Sequence, residues 1–240
     1  MNDWLIWNGV NSLEYGVHAL AQPVFTTPKE RYTTVNVPGR SGALTITEGT
    51  DIFDPVQLSV TCVIDDSANI YDISKWLKGS GEVTFATLPF GYYKGRISNQ
   101  ISFDKIVVGQ PHRSFVVQFD CYPFLYKADR RVYTYAGLIQ SFTNEGNMMS
   151  EPIIKITGSG DCTITCGAYE MAIADLPTYM VIDSEAKIAY KGSPGSTTDP
   201  LLLTTSHISG DWIRFPTGTF DLIMTGSITG VEVTPRWRWY

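Results

Sequence analysis

From Val56 to Ile64 the chain alternates: Val56, Leu58, Val60, Cys62 and Ile64 share one parity, and Gln57, Ser59, Thr61 and Val63 the other. A period of two predicts a strand with one buried face. The strongest such run is Arg113–Cys121, where Phe115, Val117, Phe119 and Cys121 face one way and Gln118 and Asp120 the other. Between them the period changes, with Ile70, Ile73 and Leu77 spaced by three and four. Asp65-Asp66-Ser67 before them offers N-cap side chains and Gly79 after them a stop, which predicts one helix of about three turns. Further strands are expected at Glu82–Thr87 and Tyr92–Ile97, with Tyr122–Tyr126 closing the unit.

Beyond residue 130 the pattern holds short alternating runs only: Pro152–Thr157, Cys162–Cys166, Tyr169–Ala174, Thr178–Ile182, Lys187–Tyr190, Phe220–Thr225 and Val231–Trp239. Turn residues separate them at Gly158-Ser-Gly160, Asp183-Ser-Glu185 and Gly192–Asp199, as in a compact β-sandwich. In the last run Val231, Val233, Pro235, Trp237 and Trp239 share a face opposite Glu232, Thr234, Arg236 and Arg238. Two indoles at strand spacing predict a packed terminus, with Val231, Val233, Trp237 and Trp239 as a core strand and the arginines on the surface.

Two segments organise the rest. In Val35–Gly42, Pro38-Gly39 suits the central positions of a type II turn, since Gly takes the positive φ there at little cost, and strand-like runs flank it. A projecting hairpin is expected. Lys127-Ala-Asp-Arg-Arg131 is short, charged and follows an aromatic closure, so it marks a junction between an N-terminal domain (1–130) and a C-terminal domain (131–240). The chain is therefore expected to be mainly β: an N-terminal β-sandwich with one helix and a hairpin, then a second β-sandwich.

Composition narrows the function. The hydrophobic share is 43% and the charged share 18%, the balance of a globular chain. Net charge is −6 (18 − 24), the opposite of the basic footprint of a nucleic-acid binder. There is no run of the roughly 18 apolar residues that a membrane helix needs. Met1-Asn-Asp-Trp-Leu-Ile-Trp7 lacks the features of a signal peptide, so folding in the cytoplasm is expected. Cys62 and Cys121 sit in apolar runs, and Cys162 and Cys166 share a strand face; all four read as structural thiols.

No catalytic or cofactor motif emerges, and neither metal nor cofactor is expected. His18, His112 and His207 are far apart and none has a ligand at metal-binding spacing; His112, between a Pro and a strand, reads as loop packing. Asp183 and Glu185 could be drawn as a glycosidase pair, but their place between two strands makes them ordinary turn residues. Alternation puts Arg236 and Arg238 on the face opposite Trp237 and Trp239, so they form no base-stacking platform. Exposed aromatics of the C-terminal domain could stack on sugars.

Several segments, in order, resemble the siphophage distal tail protein family, often called Dit. They are Trp7–Val17, Val37-Pro-Gly-Arg-Ser-Gly42, Trp76-Leu77, Phe119–Tyr126, Asn144-Glu-Gly146, Glu151–Ile156, Ile182-Asp-Ser-Glu185 and the terminal Pro235-Arg-Trp-Arg238. The resemblance implies a galectin-like C-terminal sandwich and a structural, non-enzymatic role. Six copies would form a baseplate hub ring at the tip of a long non-contractile tail, assembled in the bacterial host cytoplasm and carried on the virion. The ring would join the tail tube protein to a tail-tip or tail-associated lysin-type protein and to receptor-binding proteins, with a channel that DNA passes without specific binding and no membrane insertion. Subunit contacts are then expected at Val37, Pro38, Gly39, Arg40, Ser41 and Gly42 of the hairpin and at Phe115, Val117 and Phe119. The alternative is a cell-wall carbohydrate-binding module, which predicts exposed aromatics in a groove.

Overall fold

The computed structural model describes residues 3–49, 51–65, 68–105, 113–192 and 201–240. Asp66, Ser67, His112 and most of the expected turn at 192–199 lie outside them. The chain divides into two compact units, Met1–Ala128 with Tyr240, and Asp129–Trp239. Both are built of strands, and no helix among the described residues is long and apolar enough to cross a membrane.

The first unit contains β1 (Leu5–Trp7), β2 (Val10–Asn11), β3 (Val17–Ala21), β4 (Tyr32–Asn36), β5 (Ala43–Thr47), β6 (Val56–Ile64), α1 (Ile70–Trp76), β7 (Ser80–Phe85), β8 (Gly91–Ile97), β9 (Asp104–Lys105) and β10 (Arg113–Lys127). One antiparallel sheet runs β2-β1-β7-β8-β10-β6-β3, with β9 on β10, while β4 and β5 form a separate hairpin. The alternation of β6 and β10 sets their register: Phe115 lies opposite Cys62, Val117 opposite Val60, Phe119 opposite Leu58 and Cys121 opposite Val56. Matched apolar faces thus point into one core, where Trp7 and Phe85 pack on Phe119 with ring centroids 5.3 and 6.0 Å away. Each such buried side chain contributes about 1.5–3 kcal/mol relative to leaving it in water.

The helix is shorter than expected. It spans seven residues, and its N-cap is Asn69, whose side chain accepts from the Tyr71 amide and donates to Asp72. Asp65 is engaged elsewhere, beside His18. Only Ile73 of the helix is fully buried, and the Trp76 ring stacks on Tyr15 at 5.0 Å.

The second unit contains β11 (Tyr133–Tyr135), β12 (Ile139–Asn144), β13 (Ile153–Cys166), β14 (Tyr169–Leu176), β15 (Tyr179–Asp183), β16 (Ile188–Lys191), β17 (Leu202–Leu203), β18 (Ile208–Gly210), β19 (Gly218–Thr234) and β20 (Arg238–Trp239). The expectation of short strands only is corrected here. β13 and β19 are continuous over 14 and 17 residues and pair along most of their length. Gly158-Ser-Gly160 is not a turn but lies within β13, where the register slips at Thr157/Gly158 and again at Ser159/Cys162. Such bulges bend a strand without ending it, letting one sheet curl over its own core. The order is β11-β19-β13-β15-β16-β17, with β12 also on β19 and β14 and β18 continuing from β13.

Inside that curl Phe142, Phe215, Phe220 and Trp237 form a ring cluster, with Phe215–Phe220 centroids 4.8 Å apart and Phe215–Trp237 5.9 Å apart. Val231, Val233 and Trp237 are buried as the alternation predicted, while Trp239 is half-buried. The final strand is not continuous, however. Arg236 adopts a left-handed φ of 56°, which breaks the run between β19 and β20.

Candidate assembly interface

The β4–β5 hairpin stands as a separate two-stranded sheet. Thr33 pairs with Ile46 and Val35 with Leu44 on one face; Tyr32 pairs with Thr47, Thr34 with Thr45 and Asn36 with Ala43 on the other. All ten strand residues are exposed on both faces. A two-stranded hairpin is at best marginally stable alone in water. This one also leaves Ile46 (50% exposed), Val35 (43%) and Leu44 (39%) side by side on one face. One exposed face is thus largely apolar and the other rich in threonine.

The tip has the geometry that Pro38-Gly39 predicts. Arg40 N–H donates to the Val37 carbonyl at 3.2 Å across the two central residues, and Gly39 holds φ at 80°. Val37, Pro38, Gly39, Arg40, Ser41 and Gly42 are all exposed. The root is held firmly. Arg31 donates its amide to the Ile52 carbonyl (2.9 Å) and its Nε to Asp54 (3.1 Å), with Glu48 3.8 Å from Nη1, and Asp54 N–H donates to the Lys29 carbonyl at 2.8 Å. The arm therefore leaves a fixed base. Exposed apolar residues continue toward it from β3 at Leu20, Val24 and Phe25.

The structure separates the other expected contact residues from this arm. Phe115, Val117 and Phe119 are buried in the core of the first unit, so their side chains cannot meet a partner. The face of β10 open to solvent is the other one, which carries exposed Val116. The alternation had identified the buried face correctly, and assigning that same face to subunit contacts is the error.

Groups with possible chemistry are tied into the fold. Arg236 donates to both oxygens of Asp183 and lies 3.2 Å from Glu185, while Asp183 Oδ1 also accepts from the Glu185 and Ala186 amides. Burial raises the Asp183 carboxyl, but the Arg236 hydrogen bonds and those amides outweigh it and hold the group below its ordinary value. Arg238, expected on the surface, is buried; its Nε donates to the Met149 carbonyl at 2.7 Å and its Nη1 to Glu151 at 3.1 Å. The four cysteines are buried free thiols, and burial pushes Cys62, Cys121 and Cys166 up to about 12, so they are protonated at neutral pH. His18, which sequence spacing left alone, lies between Asp3 and Asp65, residues 15 and 47 positions away. Among the described residues no group of three or more His, Cys, Asp or Glu is placed to hold a metal ion.

Among the described residues the exposed aromatics, Phe25, Tyr32, Tyr71, Phe90 and Tyr122, belong to the first unit. Among the described residues of the second unit every Phe, Tyr and Trp is buried or half-buried. A sugar-stacking groove there would need the reverse.

These features define a two-unit, mainly β chain with an arm exposed on both faces. The same fold occurs in the Dit protein of phage SPP1, whose crystal structure is described as a paradigm of the hub adsorption apparatus in phages infecting Gram-positive bacteria. The two chains superpose with a TM-score of 0.69 over 96% of this chain and 97% of that one, at 14% identity. No family model and no curated protein matches the sequence.

Proposed function

We propose that this chain is a hub subunit of a phage tail tip, assembling through its arm into a closed ring of six copies. The observation that carries the reading is the β4–β5 hairpin, a rooted arm with an apolar face that stands exposed among the described residues. Head-to-tail contacts close into rings, and an arm reaching a neighbouring copy is a simple way to make one. The full-length likeness in fold to the SPP1 protein, and the ordered segments that resemble the Dit family, supply the setting: a ring between the tail tube and the receptor-binding and tail-tip proteins, on the virion, after assembly in the host cytoplasm. The acidic balance suits a channel wall that DNA passes without being held. The role is structural, and the domain junction lies at Lys127–Arg131.

The test is the solution mass of the intact chain by light scattering. Six copies of 26.7 kDa give about 160 kDa (6 × 26.7), or twice that for stacked rings. A monomer both alone and with its tail-tube partner overturns the reading.

A further inference from the structure

The side chain of His18 projects from β3, the strand at one end of the first sheet, and both of its ring nitrogens face carboxylates. Nδ1 is 2.8 Å from Asp3 Oδ2, on the chain entering β1, and Nε2 is 3.3 Å from Asp65 Oδ1, at the exit of β6. Three segments distant in sequence meet on one imidazole. The backbone supports both contacts: Ala19 N–H donates to the Asp3 carbonyl at 2.6 Å, and Asp65 N–H donates to the Gly16 carbonyl at 2.9 Å. Asp65 also lies close over Gly16, where a Cβ would sit 3.2 Å from its carboxylate. Among the described residues the charged groups facing the ring are these two carboxylates.

An imidazole can donate from both nitrogens only when it carries two protons; the neutral ring keeps one N–H and turns a lone pair toward whatever faces the other nitrogen. The Asp3 contact is the shorter, so Nδ1 retains its proton. When the proton on Nε2 leaves to solvent, a lone pair faces the Asp65 carboxylate and that contact becomes repulsive. We propose that Asp3, His18 and Asp65 form a proton-controlled latch, closed when the ring is charged, which on losing its Nε2 proton frees Asp65, at the exit of β6, from β3 while the Asp3 side stays shut. The hydrogen bond to Asp3 first, and then the contacts with Asp65, raise the His18 pKa above its ordinary 6.5 against the opposing effect of burial. The closed state is thus complete below 6.5 and opens as pH rises through the raised value.

The latch does not rest on the hub reading and is tested on the full chain. Amide exchange, corrected for its intrinsic pH dependence, is followed by NMR for Asp65 and Ala19 between pH 6 and 9. In the native chain Asp65 protection is expected to fall, by at most about tenfold for each unit of the rise that the Asp65 contact supplies, while the better bonded Ala19 loses less. In His18→Gln the Asp65 response is expected to be flat. In Asp65→Asn the imidazole midpoint, read from its ring proton shifts, is expected to drop. An equal fall in Asp65 protection in His18→Gln, no fall in the native chain, or an imidazole midpoint at or below 6.5 overturns the latch.

Discussion

Arg236 grips Asp183 with two parallel hydrogen bonds, 2.6 Å from Nη1 to Oδ1 and 2.8 Å from Nη2 to Oδ2. The pair ties the chain between β19 and β20 to the β15–β16 hairpin. It also explains why a residue with φ of 56° is held in place: the fork-to-carboxylate geometry fixes the guanidinium, and through it the backbone. Asp183→Ala removes the bidentate partner and leaves Glu185 at 3.2 Å as a partial replacement. The expected loss is about 1–3 kcal/mol, read from urea unfolding of the intact chain.

Acid should release the same clamp. The Asp183 carboxyl is held below its ordinary 3.8, so its contribution is complete above 3.8 and is lost as pH falls through the lowered value. Stability is therefore expected to drop more steeply below pH 4 in the native chain than in Asp183→Asn, which has no such proton to bind. Parallel acid profiles for the two proteins would show that the pair adds nothing.

The bulges that bend β13 and β19 can be tested at two glycines. Gly160 and Gly226 both hold positive φ, 72° and 101°. A Cβ at Gly160 meets nothing within 4 Å, whereas one at Gly226 would lie 2.5 Å from the Asp161 carbonyl oxygen. Gly160→Ala should therefore cost only the backbone term of about 1–2 kcal/mol, and Gly226→Ala clearly more, since strand must move against strand. Equal melting temperatures for the two variants would deny the close approach.

That curl also marks where reading by pattern stops. Alternation placed β6 and the buried halves of β10 and β19 correctly because a sheet with one wet face must alternate. It read Gly158-Ser-Gly160 as a turn because glycine weakens a strand signal in a turn and in a bulge alike; only the long-range pairing of β13 with β19 distinguishes them. Arg238 was misplaced for a related reason. Its burial depends on Glu151 and the Met149 carbonyl, 87 and 89 residues earlier, and no local pattern announces such partners. The same holds for His18 with Asp65. The hairpin turn was fully legible, since Pro38-Gly39 carries its own geometry, and the exposure of its apolar face was not.

Phe119 decides between the two roles considered for β10. Buried against Trp7 and Phe85, it should behave as a core residue. Phe119→Ala is expected to destabilise the fold by about 3–5 kcal/mol in chemical denaturation. If it instead left stability unchanged and only lowered the assembled mass, the strand's inward face would have to be an interface after all.

The arm makes the opposite prediction. Ile46 is half exposed in the single chain, so Ile46→Asp removes little packing from the fold and should shift its melting temperature little. In an assembly that covers the Thr33–Val35–Leu44–Ile46 face, the same change buries an unpaired carboxylate at the contact and should dissociate it. Arg40→Glu at the tip separates two ways of using the arm. If only the apolar face is gripped, the exposed tip tolerates reversal of its charge; if the arm inserts into a neighbour to its end, both variants lose assembly. Light scattering on the native chain, Ile46→Asp and Arg40→Glu, with circular dichroism to confirm folding, reads all of this at once. A folded Ile46→Asp protein with the full oligomeric mass would remove the arm from the interface.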